Sequence, residues 1–159
     1  MRFRAFCTAI LCALMLAAPI AATAQSTRSG TSSESVKKDL ADTMERSKAH
    51  TAEKRDEVVE DVRSSLEKFD DWYHRRMISL KEGWAKLSDD TKVELATASK
   101  ELRAYRNEMS EWLGKLQTSA KESWEETKGE FSKSYAKFKA SWDKHDDETD
   151  KAGVEKKSP

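Results

Sequence analysis

The chain has 159 residues, of which 36% are charged and 37% are apolar, and its acidic and basic side chains are equal in number. Because there is no basic excess, the composition argues against a nucleic-acid-binding protein, and we expect no nucleic-acid partner. The charged share exceeds the roughly one quarter that is usual for globular domains, which favours long, solvated helices.

The first 24 residues have the features of a secretory signal peptide. Arg2 and Arg4 are basic, residues 5–18 are apolar, and the small residues Ala22 and Ala24 form a cleavage pattern. We expect cleavage after Ala24 and a bacterial protein that is periplasmic or otherwise exported. An uncleaved membrane anchor is the alternative, although residues 5–18 are short for a membrane span.

Removal of this signal would leave a mature chain that begins at Gln25. Both cysteines, Cys7 and Cys12, lie within the signal, so the mature chain would contain neither a disulfide nor a reactive thiol. Residues 25–31 are polar, contain several Ser and Thr residues and have no apolar periodicity. We predict a disordered linker there.

A first long amphipathic helix is predicted over residues 32–87. Thr31 and Glu34 form a capping-box pattern at its start. Its apolar stripe is thin before Val58, so we expect that part to be poorly packed. From Val58 onwards, apolar residues recur at the three- and four-residue spacing of one helix face. These residues are Val58, Val62, Leu66, Phe69, Tyr73, Met77, Leu80, Trp84 and Leu87.

A turn is predicted between Leu87 and Asp89, because Ser88 and the acidic residues after it are typical of a helix N-terminus. We therefore predict an all-α protein whose domain, residues 32–144, is a long antiparallel hairpin resembling a coiled coil. Its second helix would occupy residues 89–144. Neither Gly nor Pro marks the turn, so one continuous long helix is the alternative.

The strongest apolar stripe lies in this second helix. Its large side chains recur every three or four residues, and Leu113, Trp124 and Tyr135 are eleven residues apart. Eleven residues make three turns at close to the natural helical pitch, so the stripe keeps to one face of a straight helix. We name part of this stripe the aromatic seam and treat it as the candidate interaction site. The aromatic seam consists of Leu113, Leu116, Trp124, Phe131, Tyr135, Phe138 and Trp142.

The aromatic seam has two interpretations. In the first, it is the core between the two helices, since Trp and Phe bury large areas. In the second, it is partly exposed and binds another molecule. A hairpin would place residues 124–142 opposite the weakly apolar residues 36–51, so we expect a homo-oligomer that associates through the aromatic end. The side chains left without a good intramolecular partner would be Phe131, Tyr135, Phe138 and Trp142.

No arrangement of residues in the sequence indicates catalysis. His50, His74 and His145 are too far apart along the helices to form a local ligand set, and no HExxH, CxxC or glycine-rich phosphate-binding motif occurs. We expect a non-enzymatic protein with no catalytic residue, no cofactor and no metal site. Residues 145–159 are polar with an acidic cluster, and we predict a disordered tail there.

Three segments of the second helix carry a resemblance to a known family. These segments are residues 101–112, 124–129 and 135–142. They resemble the small bacterial coiled-coil stress-response proteins, whose C-terminal half repeats W-x-x-L-K-x-G-x-x-x-A-x-x-x-L-x-x-A. Thr127 stands where the family pattern has Leu, and Tyr135 and Phe138 stand where it has Ala and Leu. The predicted signal peptide also departs from soluble cytoplasmic members.

The resemblance implies a non-enzymatic helical protein linked to stress. Together with the predicted signal, it favours an envelope stress-response protein that acts through the aromatic seam on itself or, like a chaperone, on unfolded clients. The eleven-residue period also resembles that of exchangeable apolipoproteins. Binding to a lipid or membrane surface is therefore the alternative function.

Overall fold

The computed structural model describes residues 32–153, which contain four α-helices and no strand. The helices are α1 (Ser33–Ala49), α2 (Arg55–Gly83), α3 (Asp89–Thr118) and α4 (Trp124–Lys151). The all-α prediction is confirmed. The predicted signal peptide, residues 1–24, and the predicted linker, residues 25–31, lie outside the described residues.

The turn predicted at Ser88 is present and separates α2 from α3. A 3₁₀ turn, Trp84–Lys86, follows α2, and Leu87 and Ser88 are extended. Ser88 Oγ accepts a hydrogen bond from the Thr91 N–H at 3.2 Å, which satisfies a backbone donor at the start of α3. The alternative of one continuous helix is therefore wrong.

Each of the two predicted long helices is divided by one further break. α1 ends where His50 is extended, with φ −84° and ψ 141°, and α3 ends where Ser119 is extended, with φ −65° and ψ 139°. A 3₁₀ turn follows each break, at Ala52–Lys54 and Lys121–Ser123. The predicted pair of helices is thus corrected to four. Folding back at these breaks lets each apolar stripe pack against another, and tertiary packing supplies most of a helix's stability.

α1 and α2 form the first hairpin. The hydroxyls of Thr43 and Ser65 are hydrogen-bonded at 3.1 Å, and Asp39 pairs with Lys68 at 2.9 Å. Residue numbers rise along α1 as those of their partners on α2 fall, so the two helices are antiparallel.

α3 and α4 form the second hairpin. Glu101 pairs with Lys144 at 2.8 Å and Glu108 pairs with Lys137 at 2.9 Å, so these helices are also antiparallel. Of all the helix pairs, α3 and α4 make the most extensive contact. The second hairpin is therefore the most tightly associated unit of the bundle.

The two hairpins pack side by side as an up-down-up-down four-helix bundle. α2 neighbours α3, where Asp70 accepts a hydrogen bond from Arg106 at 2.9 Å, and α1 neighbours α4, where Lys37 donates to Asp143 at 2.7 Å. α1 has 17 residues and the other helices have 28 to 30, so α1 covers only part of the groove between α2 and α4.

The thin apolar stripe before Val58 is better packed than the sequence predicts. Val36, Leu40 and Met44 of α1 are buried in the main core together with apolar residues of the other three helices. Each large side chain that is fully buried contributes roughly 1.5–3 kcal/mol to folding. The short α1 is therefore part of the folded bundle.

α4 continues beyond its predicted end, so the predicted disordered tail begins too early. His145 and Thr149 are fully buried, because they continue the inward-facing series of Phe138 and Trp142 at helical spacing. The helix ends before Gly153, which adopts a left-handed φ of 62° that glycine tolerates without strain. The remainder of the predicted tail, residues 154–159, lies outside the described residues.

Candidate functional site

Six of the seven residues of the predicted aromatic seam are buried in the bundle, and Tyr135 is half-buried. Phe131, Phe138 and Trp142 are each at most 1% exposed. The prediction that the aromatic end lacks an intramolecular partner is wrong. The extra helix breaks place α4 diagonally across from α2, so its rings face α2 as well as α1.

The rings of α2 and α4 form a cluster that joins the two hairpins. Phe69 meets Phe138 edge to face at 4.8 Å between ring centroids, and it meets Trp142 at 4.6 Å. Trp72 lies 4.8 Å from Trp142. Such pairs contribute about 0.5–1.5 kcal/mol beyond the burial of their area. We name Phe69, Trp72, Phe138 and Trp142 the aromatic cluster.

Sequence reasoning missed Trp72 because it lies one position from Tyr73 on the predicted stripe. It is nevertheless 7% exposed and belongs to the core. A wider inward face on α2 would have included it, since Phe69 and Trp72 are three residues apart and share a face. Trp112 on α3 is half-buried at the border of the stripe, with Lys115 Nζ 3.7 Å from its ring centroid.

One connection, residues 84–88, links the two hairpins at one end of the bundle, and we call it the hinge connection. Elsewhere, the interface of α2 and α3 contains a groove of about 420 Å³ with Leu66 and Leu113 among its lining residues. Long polar side chains bridge this groove, as where Arg63 Nη2 lies 3.4 Å from Gln117 Oε1.

At the end of the bundle opposite the hinge connection, hydrogen bonds join the tips of the two hairpins. Trp124 Nε1 and Lys128 Nζ donate to the carbonyl of His50 at 3.2 and 3.1 Å, and Arg55 Nη1 donates to the carbonyl of Ser119 at 2.6 Å. Both carbonyls lie at helix C-caps, where no helical N–H is available, and cations are favourable there. We name these three donors and two acceptors the tip latch.

An exposed ion pair lies beside the tip latch. Lys121 Nζ of the second hairpin is 2.5 Å from Glu53 Oε1 of the first. The hydrogen bond from Lys121, together with smaller contributions from Thr51 and the backbone, lowers the pKa of Glu53 to about 2. Exposed pairs of this kind contribute little to stability. The pair marks the position where the two tips meet.

A cluster of charges lies where α1, α2 and α4 meet. Lys37 Nζ is 2.7 Å from Asp143 and 2.9 Å from Asp146, and the Lys37 side chain is only 14% exposed. Burial opposes the charge of Lys37, but the hydrogen bonds to these two carboxylates outweigh it together and raise the pKa of the amine. On α2, Arg76 contacts Asp150 at 3.5 Å.

His145 lies fully buried inside this charged region. Its ring is 5.7 Å from Tyr73 and 6.4 Å from Trp72, and neither ring nitrogen has a hydrogen-bond partner. Burial lowers the pKa of His145 to about 4, so the imidazole is neutral at neutral pH. We name Lys37, Arg76, His145 and Asp146 the polar junction.

Several hydroxyl groups also lie in the core. Ser47, Ser141 and Thr149 donate to carbonyls of their own helices at 2.7, 2.8 and 2.5 Å, whereas the buried Oγ of Ser134 has no partner. These side chains take positions that apolar groups would otherwise fill. The interior is therefore less apolar than the aromatic seam suggests.

No group of three or more His, Cys, Asp or Glu side chains in residues 32–153 is arranged to hold a metal ion. Among the helices described, none is both long and apolar enough to span a membrane. No protein-family model matches the chain, and no curated protein or solved structure matches it either.

Proposed function

We propose that this protein is a non-enzymatic binding protein of the bacterial cell envelope, which stores its aromatic seam inside the bundle and exposes it to unfolded polypeptide chains under stress. The hairpins would separate about the hinge connection, residues 84–88. Export rests on the predicted signal in residues 1–24, and the link to stress rests on the family resemblance. The mode of action rests on the geometry of the bundle.

The observation that carries this proposal is the division of the aromatic cluster between the two hairpins. Phe69 and Trp72 belong to the first hairpin, and Phe138 and Trp142 belong to the second. Separation of the hairpins would expose all four rings while leaving the helices intact. A contiguous exposed patch of four large aromatic side chains usually marks an interaction site.

The contacts that hold the hairpins together at the tips suit a reversible opening. Water can replace the bonds of the tip latch. Their net value is about 0.5–1.5 kcal/mol for the neutral donor of Trp124 and about 1.5–3 kcal/mol for each of the cationic donors Lys128 and Arg55. The exposed pair of Glu53 and Lys121 adds little. Loss of the aromatic cluster also opposes opening, and an apolar partner would compensate for that loss.

Unfolded polypeptide is favoured as the partner because the outer surface carries both signs of charge. Acid–base pairs such as Lys133 with Glu130 and Lys139 with Asp143 lie along α4. A helix that binds anionic lipid by charge usually has a polar face dominated by Lys and Arg. A mixed face gives less attraction to lipid and keeps an opened bundle soluble.

Chemical cross-linking across the tips tests the proposal. In a mature chain without residues 1–24, Glu53→Cys with Lys121→Cys places thiols on both tips, and a short bismaleimide then joins the hairpins. We expect this cross-link to abolish the suppression of aggregation of insulin reduced with dithiothreitol. The matched control is Glu108→Cys with Lys137→Cys, which is cross-linked within the second hairpin and should remain active. Equal activity of both cross-linked proteins would refute opening at the tips.

A second candidate function, binding to a lipid surface, is favoured by lysines that border aromatic rings. Lys37 Nζ lies 5.6 Å from the Trp142 ring and Lys128 Nζ lies 5.9 Å from the Trp124 ring. Lysines at such borders can reach lipid headgroups while neighbouring rings enter the acyl region. Vesicles of anionic phospholipid that shift tryptophan emission to the blue and raise helicity, without any effect on insulin, would favour this function.

Self-association is also part of the proposal. Two opened copies would cover each other's aromatic cluster, so the opened protein is expected to form oligomers when no client is present. Light scattering should therefore detect association in the wild-type protein and a monomer in the Glu53→Cys, Lys121→Cys variant after its tips are cross-linked. A monomer in both cases would contradict association through the opened cluster.

A further inference from the structure

We propose that acidification opens the bundle at the polar junction, where His145 lies between α1, α2 and α4, and thereby exposes the aromatic cluster. This inference rests on the proposed function and names the signal that regulates it. It depends on three features of the junction: unsatisfied buried atoms, the charges that face His145, and the contacts that hold α1.

The first feature is that the polar junction and its surroundings leave buried polar atoms without partners. Both ring nitrogens of His145, Nε of Arg76 and Nε1 of Trp142 have no hydrogen-bond partner. A buried polar group without a partner keeps the cost of its lost hydration. Opening to water would satisfy all of these atoms together, so the closed junction is poised to open.

The second feature is the set of charges that face His145. Besides burial, which has the largest effect on its pKa, Asp146 of α4 raises the pKa, and Arg76 of α2 and Lys37 of α1 lower it. Asp146 is already paired with Lys37 at 2.9 Å. α2 also contributes the phenol of Tyr73. An imidazolium would therefore be a third cation beside Lys37 and Arg76, and Asp146, the carboxylate that favours it, already binds Lys37.

On α3, Glu101 is paired with Lys144, the residue before His145, at 2.8 Å. An imidazolium also has two N–H donors, and the closed structure offers an acceptor to neither. The protonated side chain can satisfy both donors only by reaching water.

The third feature is the set of polar contacts that joins the start of α1 to α4 over this region. Ser33 Oγ is hydrogen-bonded to Asp146, and Lys37 contacts Asp143 and Asp146. Lys37 also lies over the Trp142 ring at 5.6 Å. Entry of water around His145 would break these contacts between α1 and α4. Lys37 would then no longer cover the ring of Trp142.

The direction of the pH effect follows from the two protonation states. The pKa of His145 in the folded bundle is about 4, against an ordinary value of 6.5. Protons therefore bind the open form more tightly than the closed form, and opening is favoured as the pH falls from 6.5 towards 4. Because burial lowers the pKa of His145 from 6.5 to about 4, the expected opening falls between these two pH values.

The test is a pH titration that follows tertiary packing and helicity separately. We expect the near-UV circular dichroism of the wild-type protein to be lost between pH 6.5 and 4 while far-UV helicity remains. His145→Phe keeps an aromatic ring without a titrating group and should lose this transition. His74→Gln, at an exposed position on α2, is the matched control and should behave like the wild type.

A transition that persists unchanged in His145→Phe would overturn the proposal, as would a wild-type protein that keeps its packing to pH 4. If His145→Phe fails to fold, His145→Gln replaces it. A direct NMR titration of the imidazole gives an independent readout, and a folded-state pKa near 6.5 would also overturn the proposal.

The outcome is separable from that of the proposed function. A His145-dependent transition whose acid form fails to protect reduced insulin supports the switch and refutes the client-binding function. Conversely, protection that is blocked by the cross-link at the tips, together with a transition independent of His145, supports the function and refutes the switch.

Discussion

Phe69 of α2 and Trp142 of α4 meet edge to face with their ring centroids 4.6 Å apart, and this contact joins the two hairpins. The residues that form the interface between the hairpins are therefore the residues that separation would expose. In the proposed function, burial and binding are two states of this one surface, and the contacts at the tips and at the polar junction hold the closed state.

Loss of the Phe69 ring is expected to destabilise the bundle strongly. Phe69 is 1% exposed and contacts four other aromatic rings, so Phe69→Ala should lower the free energy of unfolding by roughly 3–5 kcal/mol. Ile78→Ala, at a side chain 49% exposed on the same helix, should change it by no more than about 0.5 kcal/mol. Urea denaturation measures the free energy of unfolding of both variants. Similar losses in the two would contradict the placement of Phe69 in a core that joins the hairpins.

The tip latch is expected to make Lys128 more important than a neighbouring lysine on α4. Both Lys128 and Lys133 pair with a glutamate three residues earlier, but only Lys128 also reaches the carbonyls of Lys48 and His50. Lys128→Met should lower the free energy of unfolding by about 1–2 kcal/mol more than Lys133→Met. Equal effects in urea denaturation would show that the bonds from Lys128 in the tip latch contribute nothing to stability.

Lys37 is expected to hold α1 in place through its two carboxylate partners. Lys37→Met leaves Asp143 and Asp146 without this cation and should cost about 1.5–3 kcal/mol, because hydrogen bonds to charged groups are the stronger kind. Hydrogen exchange of the α1 backbone amides should also be faster in Lys37→Met than in the wild type. Lys38→Met removes only an exposed pair with Asp42 and serves as the control. Unchanged exchange in both variants would exclude a role for Lys37 in holding α1.

His145 is expected to make stability depend on pH. Because its folded-state pKa is lowered from 6.5 to about 4, its contribution is fully present above pH 6.5 and is lost as the pH falls towards 4. The loss is roughly 3 kcal/mol, at about 1.4 kcal/mol for each pH unit. The check is the free energy of unfolding at both ends of this window for the wild type and for His145→Phe. Parallel changes in the two proteins would assign the dependence to other groups.

Local periodicity was sufficient to predict much of this molecule. The three- and four-residue spacing of apolar side chains identified helices, and Ser88 with the acids after it identified the turn between α2 and α3. The same spacing placed Phe131, Phe138 and Trp142 on one apolar face of a helix, but it did not predict that this face is buried within the chain. These features depend on neighbours within one or two helical turns, so a single sequence contains them.

Only the tertiary structure decided where the other helices break and which faces meet. Neither His50 nor Ser119 lies at a Gly or Pro, and each break exists because the segments on either side gain more by packing against each other than by remaining one helix. Periodicity likewise identifies which face of a helix is apolar. It does not identify the helix that packs against that face. The meeting of Phe69 with Trp142 and the burial of His145 arise from contacts between segments distant along the chain, which local spacing does not encode.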